Sequence, residues 1–483
     1  MARASVRGMW PARALVLVCL LGFAAALVAN WPGHFPPDAI YQLAQGRAGL
    51  FNLWHPPAMA WLLGVADRLS PDAAAFFVMD AAVFFAALAA LALLGEGAWL
   101  AVLAAALVAV SPLVLVYQGM VLKDVFFADA SLAAFAAIGW AGRLWRKEAA
   151  RGILILLALV LLTAAVLVRQ NGAVVAAVGA FTLAAIAAAH SPRVTRTGVF
   201  VVGGVATLLP IGAAAWLAAG WFAHHSDHQP ERARQWMALE VYDLAGAVRR
   251  DPALPLPVLA AHAPSLERYI RDVAAPRYDP ARIDPILKAP GWDQRLKHPN
   301  PWAWTQWRRI MTASPKLYLQ TRWAAFWQVL ATPRITACAP VLVGVDPGDP
   351  RMLRAAGLSA RETDQDDWDG DYAASFLSTP VFSHLVYAAA ALVLLALAIR
   401  DAARGRLELI ATAGLLTAAL VYAASFFLIS LACDYRYLYF VDVAATAALV
   451  QRLALGRQET AATGDGRSAG VGSTAGRPRK RRV

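Results

Sequence analysis

The sequence predicts an all-α polytopic membrane protein, and three observations predict it. Hydrophobic residues fill 59% of the 483 positions and charged residues only 16%, too few charges to cover a soluble protein of this size. Most of the chain falls into apolar runs of roughly 17 to 25 residues, the length that crosses about 30 Å of hydrocarbon. Lysines and arginines gather between those runs, as the positive-inside rule requires.

Apolar runs bounded by charges, Pro or Gly place ten helices, near 13–30, 72–94, 98–117, 125–142, 152–168, 172–189, 198–221, 380–399, 407–431 and 438–454. The first follows Arg3, Arg7 and Arg13 and so resembles a signal peptide, but no small-x-small cleavage site follows it. It reads as a retained helix. The segment 56–70 is apolar but short and holds Asp67 and Arg68, which suits an interfacial helix. The Pro-Pro pairs at 36–37 and 56–57 are each suited to a helix start, so the first outer loop reads as two short helices, one from Asp38 and one from Pro57. Asp38 then lies at a helix N-terminus, where the dipole favours its ionised form.

With the N-terminus inside, the connections 95–97, 143–151, 190–197 and 400–406 and the basic tail fall on the cytoplasmic side. The outside loops carry only isolated arginines, which supports an even number of spans with both termini cytoplasmic. The expected organisation is a transmembrane module over 1–221 with an outer loop at 31–71, an outer domain at 222–379, C-terminal helices at 380–455 and a disordered basic tail at 456–483. The outer segment holds nine tryptophans counting Trp221, too many for a linker. Within it 314–333 has aromatics at helical spacing with Lys316 and Arg322, as in an amphipathic interfacial helix.

Cys19, Cys338 and Cys433 form no CxxC pair, and neither a zinc site nor a disulfide framework is expected. The net charge of +12 follows from the positive-inside pattern, so nucleic acid is excluded as a partner.

Charges within or beside spans cost a few kcal/mol each, about 2.5 to 3.5 on insertion scales, and so mark candidate sites. Four places stand out: Asp38; Lys123 and Asp124 in "YQGMVLKDVFF" (117–127); Arg169, Gln170 and Asn171 in "VLVRQNG" (166–172); and Asp434, Tyr435 and Arg436 in "CDYRYLYF" (433–440). All fall on the outer side of the charge-derived topology. Arginine offers bidentate phosphate contacts and lysine a point charge, so acids and bases converging there suit a phosphate-bearing lipid. The plain alternative is that Arg169 and Arg436 snorkel to headgroups while the tyrosines form an aromatic belt.

An acid shortly after the first helix, "HPP" about twenty residues later, then "KD" after the third helix resembles the GT-C superfamily of membrane glycosyltransferases. The similar branch holds protein O-mannosyltransferases and lipid A aminoarabinose transferases. "LVYQGMVLKDVFF", "VLVRQNG", "VYDLAGA" (241–247) and "DYRYLYF" look still more like a bacterial group of that superfamily without a settled substrate. The resemblance implies an inverting enzyme of the bacterial inner membrane, active on the periplasmic side, with a polyprenyl-phosphate-linked sugar as donor and a glycan, lipid or protein as acceptor. By position it makes Asp38 the general base, Asp124 a second acid near the acceptor, and Lys123, Arg169 and Arg436 holders of the departing phosphate. His55 and Tyr435 join them as candidate substrate contacts; His55, before Pro-Pro, also suits a local hydrogen-bonding role.

Members of the superfamily often carry paired acids in the first loop, whereas Asp38 stands between Pro37 and Ala39. That leaves a divalent cation open as a cofactor. "DQDDWDGD" (364–371) lacks the closing glutamate of a calcium loop and reads as a solvated acidic loop. His224, His225, Asp227 and His228 are a weaker metal candidate. Asp80, Asp129 and Asp442 lie within spans, with internal pairing as their expected role. Two rival functions remain at this stage: a polyprenyl-diphosphate oligosaccharide polymerase or ligase, and a transporter or flippase. The latter predicts internal repeats or helices broken at Gly or Pro, which the pattern does not clearly show.

Overall fold

The computed structural model describes residues 2–226, 231–297, 299–346 and 348–455. Among them helices are joined by loops, 3-10 turns and isolated β-bridges, with no sheet. The chain is an all-α polytopic membrane protein. Among the described residues eight helices are long and apolar enough to cross a membrane: Met9–Asn30, Pro71–Ala92, Lys123–Arg143, Glu148–Val168, Gly172–Ala189, Arg193–His224, His384–Ala403 and Leu409–Ile429. The last apolar segment forms the shorter helix Tyr439–Ala454, of 16 residues, most of them buried.

The expected span 98–117 is not one helix. Trp99–Val110 and Pro112–Gly119 meet at a bend of 63°. Pro112 has no N–H to continue the helix, and Ser111 before it is extended at ψ 144°. This is the proline break that the hydropathy pattern concealed, because both halves are apolar.

The two short helices of the first loop form as expected, Pro37–Ala48 and Pro57–Asp67, each with proline in its first turn. They cross at two glycines. A Cβ on Gly46 would lie 2.2 Å from the Ala60 carbonyl oxygen, and one on Gly64 would lie 2.6 Å from that of Gly46. Arg47 clamps the same pair through Asp67 at 2.7 Å and Asp72 at 3.2 Å. Gly46→Ala is therefore expected to destabilise the protein by about 1–3 kcal/mol through overpacking, read as a lower melting temperature in detergent. Gly212→Ala, on a helix face where a new Cβ meets nothing within 4 Å, serves as the unaffected control.

The long segment 222–379 divides in two. Helices between Glu231 and Ala331 gather around Tyr242, Ile270, Ile286 and Trp292 in a core of their own. Residues beyond it, including Cys338, Val345, Leu353 and Ala373, join the core of the transmembrane helices. They fold over the first loop. The acidic run 364–371 is not a loop but the start of the helix Asp364–Ala374, capped reciprocally by Thr363 and Asp366. Its Asp366 and Asp369 are buried against His34, at 3.2 and 3.6 Å.

The interfacial helix expected at 314–333 runs Pro315–Ala331, but Arg322 does not reach for solvent. It is fully buried and paired with Asp243 at 2.8 Å. His225 stacks on Trp221 and its Nδ1 lies 2.8 Å from that residue's carbonyl oxygen. Asp227, His228 and the tail 456–483 fall outside the described residues.

Candidate active site

Pro37 starts the first loop helix and so puts Asp38 in its opening turn. Lys123 and Asp124 open the helix Lys123–Arg143, which rises beneath it. Lys123 Nζ donates to Asp38 Oδ2 at 2.7 Å, and Arg436 Nη1 donates to the same oxygen at 2.9 Å. His55 Nε2 lies 3.6 Å from the other oxygen, Oδ1. The carboxylate is thus two-sided, with cations at one oxygen and imidazole at the other.

The cationic side continues inward. Arg169 pairs with Asp124, which is 1% exposed, and Arg436 lies 3.9 Å from the same carboxylate. Arg436 also donates to Asp434 at 3.1 Å, and Asp434 lies 3.5 Å from Arg282. The Arg169 guanidinium sits over the rings of Tyr422, Phe426 and Tyr437, and that of Arg436 over Tyr437, contacts that hold planar cations in place.

The other side of Asp38 is open. Asp38 and His55 line a cavity of about 310 Å³ together with Tyr41, Trp54, Asp346 and Asp349, a volume at the small end of ligand sites. Asp38 is 21% exposed and His55 22% exposed, so both remain within reach of a ligand. Burial works to raise the Asp38 pKa, but Arg436, then Lys123 and His55, outweigh it and hold the carboxyl well below the usual carboxylate range. Burial and the neighbouring Lys123 push His55 down to about 3, so it is neutral at pH 7.

The structure therefore brings together Asp38, His55, Lys123, Asp124, Arg169 and Arg436. Tyr435 does not join them. It turns inward, stacks on His384 at 3.9 Å and donates to Asp442 at 2.8 Å. Tyr437, two residues on, takes the place beside the arginines that sequence reading gave to Tyr435. Asp124 faces Arg169 and is not on the cavity wall. Asp346 and Asp349, absent from the sequence candidates, lie in "VDPGDP" (345–350), a turn-rich stretch that could have marked a surface loop but gave no sign of which site it covers.

Cys338 and Cys433, for which sequence reading expects no disulfide framework, form a disulfide that closes 95 residues of sequence and fixes the segment around Cys338 beside Asp434 and Arg436. Among the described residues no three His, Cys, Asp or Glu gather to hold a metal ion. The acids of the site, Asp38, Asp124 and Asp434, each have a Lys or Arg partner instead.

No family model matches the chain. Nor does any curated protein. Among solved structures it is similar to two chains of the archaeal oligosaccharyltransferase AglB from Archaeoglobus fulgidus. One, in complex with an inhibitory peptide and a dolichol-phosphate, is 13% identical with a TM-score of 0.39, over 91% of this chain and 50% of that one. The other, tethered to an acceptor peptide containing the NVT sequon, is 12% identical with a TM-score of 0.40, over 91% and 49%. The chain spans about half the length of both.

Proposed function

We propose that the protein is an inverting glycosyltransferase of the GT-C type, which moves a sugar from a polyprenyl-phosphate donor to an acceptor hydroxyl on the periplasmic side of a bacterial inner membrane. The observation that carries this reading is the two-sided Asp38, with Lys123 and Arg436 on one oxygen and a cavity on the other.

The acceptor hydroxyl lies in the cavity and gives its proton to Asp38. Its oxygen bonds to the anomeric carbon as the bond from that carbon to the phosphate oxygen breaks, and the electron pair leaves with polyprenyl phosphate. Phosphate is a good leaving group, so the protein supplies a base, positioning and positive charge. Lys123, Arg169 and Arg436 provide that charge, and Asp124 acts as the positioning residue for Arg169. A donor phosphate competes with Asp38 for Lys123 and Arg436, which frees the carboxylate and restores its basicity. The acceptor is a glycan, lipid or protein hydroxyl.

Membranes carrying the wild-type protein should turn over a radiolabelled polyprenyl-phosphate hexose into a labelled acceptor product. Movement of label across the bilayer without turnover would replace this reading with a flippase, a class that the bend at Pro112 favours on general grounds.

The pH dependence follows from the competition for cations. The acid limb of kcat/KM reports the free enzyme, where Asp38 is held well below the usual range. It is therefore flat as pH falls from about 7 to about 5, above the ordinary aspartate value of about 3.9. The acid limb of kcat reports the donor complex and should begin at a higher pH. Superimposable limbs from initial-rate profiles would refute the competition.

A further inference from the structure

His34 lies just beyond the first span, is 1% exposed, and its backbone joins separate parts of the site. Its N–H donates to the Gly119 carbonyl at 2.8 Å, and its own carbonyl accepts from Val121 at 3.0 Å, two residues before Lys123. Phe35 bonds on the other side: its N–H donates to the Gly344 carbonyl at 2.7 Å, and its carbonyl accepts from Asp346, on the cavity wall, at 3.2 Å. Pro36 and Pro37 then carry the chain into Asp38. Whatever holds His34 therefore bears on Asp38, Lys123 and Asp346 together.

The imidazole is held at both nitrogens. Asn30 Nδ2 donates to the Ala26 and Leu115 carbonyls, each at 2.7 Å, so Asn30 Oδ1 is left to accept from His34 Nε2 at 2.9 Å, and that nitrogen carries a proton. Nδ1 has two claimants. The Gly344 N–H lies 3.0 Å from it and Asp366 Oδ1 3.2 Å. A neutral ring accepts from the first and a charged ring donates to the second; it cannot do both. Charge decides between them. Asp366 and Asp369 are 3% and 0% exposed, and Arg361, 3.7 Å from Asp366, is one cation for two carboxylates. Neither oxygen of Asp369 has a hydrogen-bond partner, and among the described residues its ion-pair partner is His34, at 3.6 Å. With the ring neutral a buried carboxylate is stranded; with the ring charged only the Gly344 N–H is, and a stranded charge costs more than a stranded amide. Burial works to lower the His34 pKa, but Asp366 and Asp369 outweigh it and hold the ring above the ordinary imidazole range. Among the described residues these two acids are the ion-pair partners of the ring, with Arg361 behind Asp366, while Asn30, Gly119 and Gly344 meet His34 from other elements without charge.

We propose that His34 is a positioning residue of the site and acts as an imidazolium, an internal cation that clamps the acidic helix Asp364–Ala374 onto the first loop and so holds Asp38 and the cavity wall at Asp346 in place. As pH rises and the ring loses its proton, the clamp opens and Nδ1 passes to the Gly344 N–H. A folded-state pKa above the ordinary value makes the stability from His34 complete below about pH 6.5 and lost as pH rises through the folded value. This role is independent of the glycosyltransferase reading.

Melting temperatures of the purified full chain in detergent, from about pH 6 to about pH 9, test it. Wild type should melt above His34→Gln at the acid end by a few degrees, and the gap should close toward the alkaline end, because the variant has no proton to lose. Groups that titrate elsewhere act alike in both proteins and drop out of the difference. Asp369→Asn removes one of the two charges that keep the proton on the ring, so it should move the alkaline fall of the melting temperature to lower pH, a shift that lost packing would not produce. A gap between wild type and His34→Gln that stays constant with pH overturns the proposal. So does an alkaline fall that Asp369→Asn leaves where it was, and that second comparison decides alone should His34→Gln fail to fold.

Discussion

Asp38→Asn is expected to lower kcat for sugar transfer by about 10²- to 10⁴-fold, the usual contribution of a positioned general base. Asparagine is close in size, and its Oδ1 can still accept from Lys123 or Arg436, so the loop helix keeps its seat on both. It cannot take the acceptor proton. Donor binding should be unchanged or tighter, because removing one carboxylate leaves Lys123 and Arg436 with less competition for the phosphate. Initial rates with labelled donor, paired with a direct donor-binding measurement, separate the two effects. Equal turnover by variant and wild type would eliminate Asp38 as the base.

Arg322→Ala is expected to give the largest loss of stability, about 3–5 kcal/mol, because it leaves a buried charge unpaired. Arg322 and Asp243 are 0% and 2% exposed. The guanidinium also donates to the Phe427 carbonyl at 2.8 Å and to the Ser430 hydroxyl at 3.1 Å, and Trp307 donates to Asp243 at 2.8 Å. These bonds pin the helices Glu231–Arg250 and Pro315–Ala331 to the end of the span Leu409–Ile429, a few residues before Asp434 and Arg436. Burial pushes the Asp243 carboxyl up, and Arg322 opposes it. Once the arginine is gone, Asp243 must take up a proton or drag water inward. Arg322→Met with Asp243→Leu should melt higher than Arg322→Ala, since no charge is left buried, although Trp307 and the Phe427 carbonyl then lose a partner. If the double variant melts no higher than Arg322→Ala, the loss belongs to packing and not to the stranded charge.

The spans were legible because hydrocarbon imposes one length on every crossing helix. The break at Pro112 was legible only as a proline, because the flanking residues are apolar in either geometry. Asp38, Lys123, Asp124, Arg169 and Arg436 were legible as costly charges near one face, and His55 as part of the "HPP" on which the resemblance rests. The exchange of Tyr435 for Tyr437 was not. Both lie on one 3-10 turn, Tyr435–Leu438, where a shift of two residues sends a ring to a different side. Cys338 and Cys433 carry no local pattern, since their pairing depends on how two spans return the chain to the same place. Thr363 and Asp366 did spell a capping signal, but the density of acids around them reads as loop. Arg322 looked like a snorkelling residue because its partner, Asp243, is 79 positions away.

On the proposed reaction, the linked groups of the site also conserve charge. Lys123, Arg169 and Arg436 face Asp38, Asp124 and Asp434, so these six charges cancel among themselves. A polyprenyl-phosphate sugar carries one negative charge on its diester. When the sugar leaves, the phosphate becomes a monoester and gains a second, while Asp38 takes up a proton and loses its own. The total is the same on both sides of the reaction, so the low-dielectric surroundings never have to absorb a change. Only when Asp38 passes its proton to water does the site become more negative, and the carboxylate that reclaims Lys123 and Arg436 then expels the spent lipid phosphate.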